Sequence, residues 1–382
     1  QGFFDVAAVA DLAHSHNLPL ICDSTVATPA LLRPICHGGD IGPVLQVGFG
    51  DPQLLTETAA GVWAEVQAND FTERAAAVVD EIEATRPDVI GLQELARFVT
   101  LGLNPSTQEY EFTGMIDFQQ ILGAELAARG LVYSFIAVQD NTQVTVPVAG
   151  MEMGGQFIPT QLVQLTLRDA VLVRNGLEVV DQDQANYRAF VPLGYDPFGN
   201  PIKLLRGWIR VEVDMDGVPY HFVNTHLEIQ SFAPFQVQQT QELLSEVVND
   251  LDGVTIMTGD FNSDAASGPE APSWTESYGI IRAAGFQDAW AMAHPGKAEA
   301  GLTCCQASDL RNPFSQFYQR IDFVFVRTAA TNPEGHITGV VTAQIVGADP
   351  SLKTGANGLW PSDHAGVVAD IWFAPGQLKK MK

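Results

Sequence analysis

The alternation of apolar and polar positions along this chain predicts helices and strands in turn. Val6, Val9, Ala10 and Ala13 share one helical face, and Leu18-Pro19-Leu20-Ile21-Cys22 reads as a buried strand ending at Asp23. The texture changes near Val44 and then stays uniform to about Phe373. This divides the chain into a helix-strand segment over 1–43, one domain over 44–375 and a short tail over 376–382. Asp70 can cap a helix, with Glu73 as the other half of a capping box. Phe71, Ala75, Val78, Val79 and Ile82 then recur at helical spacing until Pro87. Val89 to Leu92 is a short apolar strand that delivers Gln93 and Glu94 to its end. A helix carrying Phe118, Ile121, Leu122 and Leu126 stops at Gly130. Residues 140–168 are polar and bear Gly and Pro, which predicts a long loop before a strand at Ala170 to Arg174.

Trp208 to Val213 and Tyr220 to Leu227 flank Asp216-Gly217, a hairpin signal. Leu243, Leu244, Val247, Val248 and Leu251 mark an amphipathic helix. Val254 to Asn262, Ile321 to Arg327 and Val367 to Phe373 read as further strands. Hairpins with interspersed helices predict mixed sheets stacked as a sandwich and flanked by helices. No apolar run reaches ~18 residues, so no membrane span is expected.

Composition adds three limits. A 46% hydrophobic and 17% charged chain of 382 residues can bury a sizeable core. Forty-five acids against twenty Lys plus Arg give a net charge of −25, which disfavours nonspecific binding to a nucleic-acid backbone. The four cysteines, Cys22, Cys36, Cys304 and Cys305, are too few for a disulfide scaffold and lack CxxC zinc spacing. Adjacent Cys304 and Cys305 could pair only with strain or bridge elsewhere; buried thiols in a structural role are the favoured reading.

Chemistry concentrates in five polar clusters at or beside strand ends: GLQEL (91–95), VNTHLE (223–228), TGDFNSD (258–264), QRIDFVFVR (319–327) and PSDHAGV (361–367). Each alone is weak, because a Glu after a strand is usually a surface carboxylate and an Asp-x-Asn is usually a turn. Together they interrupt apolar pattern with groups that burial tolerates only when paired or bound to metal. Asp260 and Asn262 lie on one face of an extended chain. Asp322 points away from Ile321 and Phe323, and His364, beside Asp363, is its natural partner. An Asp–His pair fixes one imidazole tautomer and yields an acid–base group. Oxygen ligands without paired-His or Cys spacing suit Mg²⁺ or Mn²⁺.

The order Gln-Glu, Asn-Thr-His-Leu, Gly-Asp-Phe-Asn, Arg-Ile-Asp, Ser-Asp-His resembles that of the endonuclease/exonuclease/phosphatase superfamily over about residues 44–373. The resemblance implies an α/β fold, a DNase I-like four-layer sandwich of two mixed β-sheets packed face to face between helices. It implies a metal held by Glu94 and Asp363, with Gln46 standing where the family has an Asn in its first strand. His226 would contact phosphate, with Asn224 shaping its loop. Asp260 would orient or deprotonate the attacking water, Asn262 would hold it or the phosphate, and His364, oriented by Asp322, would stabilise the pentacovalent phosphorus or act as acid–base group. The implied reaction is in-line hydrolysis of a phosphodiester or phosphomonoester by a secreted or envelope-associated monomer. A small or lipid phosphate ester is the expected substrate; nucleic acid stays open but disfavoured. Arg174, Arg206 and Trp208 are read first as surface, ion-paired or packing residues.

Residues 5–41 resemble a fragment of the pyridoxal-phosphate enzymes of cysteine and methionine metabolism, in which Asp23 would pair with the pyridine nitrogen. The similarity covers about a tenth of the chain and stops before the family's Ser-x-x-Lys, and no Lys follows until Lys203. Without a Schiff-base lysine the cofactor has no anchor, so the segment is read as non-catalytic. A pyridoxal-phosphate lyase and a binding domain with an impaired metal site are the two alternatives to the hydrolase.

Overall fold

The structure is a computed structural model and describes residues 20–25, 52–195, 199, 201–215, 218–297, 301–328 and 339–373. In chain order its main elements are β1 (Leu20–Thr25), α1 (Pro52–Ala68), α2 (Phe71–Thr85), β2 (Val89–Gln93), β3 (Arg97–Leu103), β4 (Tyr110–Asp117), α3 (Phe118–Ala128), β5 (Tyr133–Met153) and β6 (Gln156–Arg174). They continue with β7 (Glu178–Asn186), β8 (Val191–Tyr195), β9 (Pro201–Leu204), β10 (Gly207–Met215), β11 (Val218–His226), α4 (Ala233–Glu242), β12 (Val254–Asp260), α5 (Ser277–Ala283), β13 (Gln287–Asp288) and α6 (Ala289–Ala293). The last are β14 (Asp322–Thr328), β15 (Gly339–Val346) and β16 (Gly366–Phe373).

Among the described residues the strands build two mixed sheets and a separate two-stranded β8–β9 ribbon. The first runs β15-β16-β1-β2-β6-β3-β4, with β5 also on β6; the second runs β13-β14-β12-β11-β10-β7. Within them β1 pairs β2 in parallel and β11 pairs β12 in parallel; the other pairings are antiparallel. Period-2 alternation sends successive side chains to opposite faces and so makes three apolar layers. Val89, Val171, Val254, Ile256, Val324, Val326, Val367 and Ala369 fill the space between the sheets. Ile90, Leu92, Leu165, Leu172 and Val368 face outward against Trp63, Phe71, Val79, Ile82 and Leu122 of α1, α2 and α3. On the other side Met257, Phe323 and Phe325 meet Leu243, Val247 and Ile281. The result is helix, sheet, sheet, helix: the expected four-layer sandwich.

Asp70 caps α2 as predicted, accepting from the Thr72 backbone N–H at 3.0 Å. Glu73 does not close the box. Its carboxylate accepts instead from the Ala356 and Asn357 N–H groups at 3.2 and 2.9 Å, tying α2 to the turn ahead of the Ser362-Asp363-His364 segment.

Two expectations need correction. Residues 140–168 are not a loop but most of the β5–β6 hairpin, paired from Tyr133↔Arg174 to Met153↔Gln156. Val146, Val148, Val163, Leu165 and Leu167 alternate into the core, and that periodicity outweighs the interspersed polar residues, Gly and Pro. The helix expected from Leu243 begins earlier, at Ala233, and Leu243–Val247 forms a π turn at its end. Gln236, Gln239 and Thr240, though polar, form its buried face, so hydrophobicity alone misplaced it. The Asp216-Gly217 turn lies outside the described residues, but Met215 stands opposite Val218 as the hairpin requires. The helix read over Val6 to Ala13, the boundary at residue 43, Gln46 and the tail over 376–382 also lie outside the described residues.

Candidate active site

Register brings the polar clusters to one edge of both sheets. In the second sheet His226 is the partner of Asp260 across β11 and β12, and Asp260 is the partner of Asp322 across β12 and β14. Three candidate site residues thus stand in a row at adjoining strand ends. In the first sheet Glu94 follows β2, and Leu92 pairs with Ala170, so Asp169 of β6 lies beside Glu94. His364 stands two residues before β16, which flanks β1.

The two sheets are pinned together just behind this edge. Asn224 Nδ2 donates to the Leu92 and Ala170 carbonyls at 2.9 and 3.1 Å, and Asn224 Oδ1 accepts from Gln93 Nε2 at 2.5 Å. Gly91 makes the approach feasible: a Cβ there would stand 2.3 Å from Thr258 Oγ1 and 2.4 Å from Asn224 Oδ1. Glu94 (φ 56°) and Asn262 (φ 49°) both occupy the left-handed region. Such backbone costs on the order of 1–3 kcal/mol for non-glycine residues and clusters where geometry is over-determined.

His364 Nδ1 lies 2.9 Å from Asp322 Oδ2, the pair expected from sequence. Burial depresses the basicity of this imidazole, but the Asp322 carboxylate outweighs it, and the pKa is pushed up to about 10. His364 is therefore an imidazolium at neutral pH. Burial and the neighbouring Asp322 push the Asp260 carboxyl well above the carboxylate range. His226 behaves oppositely: burial, then the Arg206 guanidinium, hold it well below the usual value, so it is neutral. It is 3.4 Å from Asp260 Oδ2, and with a neutral ring this contact is not an ion pair. Asn262 donates its backbone N–H to Asp260 Oδ1 at 2.8 Å and its Nδ2 to the Leu227 carbonyl at 3.0 Å, which fixes both loops.

The sequence reading undervalued several residues. Arg206 is 3% exposed, with Nη1 2.9 Å from His226 Nδ1 and Nη2 3.4 Å from Glu228 Oε1, so it belongs to the site. Glu228 closes the VNTHLE cluster, fully buried, and also accepts from the Ile229 N–H at 2.9 Å. Asp169 was overlooked, although it precedes an apolar strand much as Glu94 follows one. Its carboxylate accepts from Asn141 Nδ2 at 2.6 Å and from the Glu94 N–H at 3.3 Å. Arg174, in contrast, sits at the far end of β6 and pairs with Asp88, while Trp208 packs on the outer layer.

Cys304 and Cys305 are both buried, packed with Ile321 in a small apolar cluster, as a structural role requires. Cys305 Sγ lies 3.7 Å from His364 Nε2.

A divalent cation fits this edge by its donor chemistry. Burial, and the nearby charge of Glu94, push the Asp169 carboxyl up to about 7 against the opposing effects of Asn141 and Arg206. A hard cation beside the Glu94 and Asp169 carboxylates would relieve that excess of negative charge. Among the described residues, metal-ligand side chains converge in threes as Asp260–Asp322–His364 and Cys304–Cys305–His364; Glu94 and Asp363 belong to neither group. Mg²⁺ needs only one or two protein carboxylates when water and a substrate phosphate complete its shell.

The sequence profile described as the endonuclease/exonuclease/phosphatase family matches residues 62–364, and the chain belongs to that family. Its class is therefore the phosphoesterase- and nuclease-type hydrolases, which generally use divalent metals. Among solved structures, a D. rerio TDP2 humanized by 14 mutations is 15% identical, with a TM-score of 0.50 over 93% of this chain and 99% of that one. The mannosyl-6-phosphatase of Bacteroides thetaiotaomicron is 14% identical, with a TM-score of 0.49 over 93% and 100%. An endonuclease/exonuclease/phosphatase protein of Bacteroides vulgatus is 16% identical, with a TM-score of 0.48 over 93% and 98%. The first of these shows the shared fold. Separately, 37 residues are 51% identical to O-acetyl-L-homoserine sulfhydrylase of Corynebacterium glutamicum, covering 10% of this chain and 8% of that protein. Among the described residues no helix is long and apolar enough to cross a membrane.

Proposed function

We propose that the protein is a divalent-metal-dependent phosphoesterase that cleaves a phosphodiester or phosphomonoester by in-line attack of water. The observation that carries this reading is the row His226–Asp260–Asp322 with His364 closing over it, set on the edge that also bears Glu94 and Asp169. Glu94 and Asp363 would hold the ion, Mg²⁺ or Mn²⁺, which supplies positive charge against the phosphoryl oxygens.

The side chains divide the remaining work. Asp260, with its raised proton affinity, takes the proton from the attacking water. Asn262, fixed by its bond to the Leu227 carbonyl, positions that water or the phosphate. His226 is neutral and offers a ring N–H to a phosphoryl oxygen, with Arg206 behind it adding positive charge. His364, held by Asp322 as an imidazolium, stabilises charge on the phosphorane and can protonate the leaving oxygen. The net charge of −25 favours a small or lipid phosphate ester over nucleic acid. A secreted or envelope-bound monomer remains the proposed setting.

A hydrolysis panel tests the reading: a generic phosphodiester, a phosphomonoester, plasmid DNA and sphingomyelin, each with EDTA, Glu94→Ala and His364→Ala. Chelator and both substitutions are expected to abolish turnover on whichever substrate is cleaved. Turnover indifferent to chelator would overturn the metal dependence, and turnover indifferent to His364→Ala would overturn the assignment of the site.

A further inference from the structure

Strand β6 faces an extra residue on both of its edges at the same level. On one edge β2 pairs as far as Leu92↔Ala170 and β3 resumes at Arg97↔Thr166, so the four residues Gln93–Ala96 face the three residues Leu167–Asp169. On the other edge the β5 register slips between Asp140↔Arg168 and Gln143↔Thr166, so Asn141 and Thr142 together face Leu167. An extra residue of this kind bends its strand and re-aims a side chain. The first bulge holds Glu94 in left-handed backbone at φ 56°, and the second turns Asn141 onto Asp169. Asp169 bonds to both: Oδ1 accepts from the Glu94 N–H at 3.3 Å and Oδ2 from Asn141 Nδ2 at 2.6 Å. Asn141 Oδ1 accepts in turn from Asn186 Nδ2 at 2.8 Å, and Thr142 Oγ1 accepts from the Leu205 N–H at 2.8 Å, next to Arg206. Gly207 leaves room for this contact, since a Cβ there would stand 2.7 Å from Asn141 Oδ1. Arg168 fixes the residue after Glu94: its Nε donates to the Leu95 carbonyl at 2.9 Å and its carbonyl accepts from the Leu95 N–H at 2.6 Å. Asn141, Arg168 and Asp169 are all buried. Left-handed backbone at a non-glycine residue persists only where its surroundings over-determine it, and these bonds do so.

We propose that Asp169 is a positioning residue for Glu94: its two carboxylate oxygens set the backbone of that residue and register it against the segment that carries Arg206. The position demands an acceptor on both sides. Asn186 Nδ2, Asn141 Nδ2 and the Glu94 N–H are all donors, and the chain of bonds they form ends on the Asp169 carboxylate from both directions. An amide at this position must turn its own donor against either Asn141 Nδ2 or the Glu94 N–H, although its shape is almost unchanged. The order of amide and carboxylate can be reversed only as a pair. In Asp169→Asn/Asn141→Asp each of these bonds again has one donor and one acceptor, while the negative charge moves to the far edge of β6 from Glu94. The effect on metal binding rests on the hydrolase reading above; the effect on the Glu94 backbone does not.

The test titrates the full chain with Mn²⁺ alone, followed by loss of the free-ion paramagnetic resonance signal, and takes the component absent in Glu94→Ala as the site in question. Asp169→Asn is expected to weaken that component by about 10–100-fold, the range seen when a residue that orients a metal ligand is changed. Asn141→Asp, which sets two acceptors face to face, is expected to weaken it in the same direction and takes the lead if Asp169→Asn does not fold. Asp169→Asn/Asn141→Asp should recover most of the loss, which a direct bond from Asp169 to the ion would not allow. Cooperative urea unfolding of each variant separates a shifted ligand from a collapsed fold. Wild-type affinity in Asp169→Asn would overturn the proposal, and so would a paired exchange that binds no better than the single changes. If no Mn²⁺ component depends on Glu94, the metal reading fails by itself. Hydrogen exchange at the Glu94 amide in metal-free protein then decides: faster exchange in Asp169→Ala is expected, and unchanged exchange would overturn the positioning role.

Discussion

Asp260 and Asp322 are direct partners across β12 and β14, so two buried carboxylates meet at the candidate edge with His364 beside them. Burial and the Asp322 charge raise the proton affinity of Asp260, and the His364 imidazolium limits that rise. The arrangement favours a base at Asp260 and a fixed imidazolium at His364. Asp260→Asn keeps the shape but removes the base, so kcat should fall by roughly 10²–10⁴, the range typical of acid–base groups. Steady-state kinetics at saturating metal would check this, and a loss under about tenfold would remove Asp260 from the role of base.

Stability should depend on pH through His364. Its folded pKa of about 10 lies above the ordinary 6.5, because Asp322 outweighs the cost of burial. The stabilisation is therefore complete below about pH 6.5 and is lost as pH rises towards 10. In metal-free protein the unfolding midpoint in urea should decline across that window. Asp322→Asn should be less stable at pH 6 and should lose much of the decline. Parallel pH profiles for the two proteins would contradict the charge state assigned to His364.

Arg206 and Glu228 form a buried pair of opposite charge. Removing one partner of such a pair strands the other and costs about 3–5 kcal/mol. Arg206→Ala is expected to destabilise the fold by that order and to raise the pKa of His226, which the guanidinium now depresses. Arg206→Ala/Glu228→Gln should recover part of the stability while leaving turnover low. Denaturant titration of these two variants and of Glu228→Gln closes the cycle, and additivity within about 0.5 kcal/mol would mean that the two residues are not coupled.

Gly91→Ala tests the seam between the sheets. Its methyl group would press on Asn224, which bonds across to Leu92 and Ala170 of the other sheet, and on Thr258, which donates to Asn224. Forced overpacking of this kind costs typically about 1–3 kcal/mol. The variant should lose stability on that scale and lose activity as well, because Gln93 and Asn224 are displaced together. Wild-type activity in a folded Gly91→Ala protein would show that this seam does not set the site's geometry.

Strand ends were the most legible part of the sequence. Apolar runs at Val89 to Leu92, Val254 to Ile256 and Phe323 to Val326 announced both sheets, and the polar residues interrupting them announced the edge. The Asp322–His364 pair could be read because an acid opposite a core face needs a partner. The β5–β6 hairpin escaped because its alternation is diluted by polar residues that pair along the ladder, as Gln143 and Thr145 do with Thr166 and Gln164. Arg206, Asp169 and Glu228 escaped because their roles arise only when β6, β10 and β11 converge. No local spacing encodes that distance.

β1 lies between β16 and β2, hydrogen-bonded to both, with Asp23 opposite Val367 on one side and Gly91 on the other. Ladder bonds are made by main-chain amides and carbonyls and are largely indifferent to which side chains hang from them. That slot can therefore be filled by a stretch akin to an unrelated enzyme, provided it runs extended and in the right direction. Trimming the chain to residue 44 would open a rift one strand wide between the ribbon that bears Glu94 and the ribbon that follows His364, separating the two halves of the cleft.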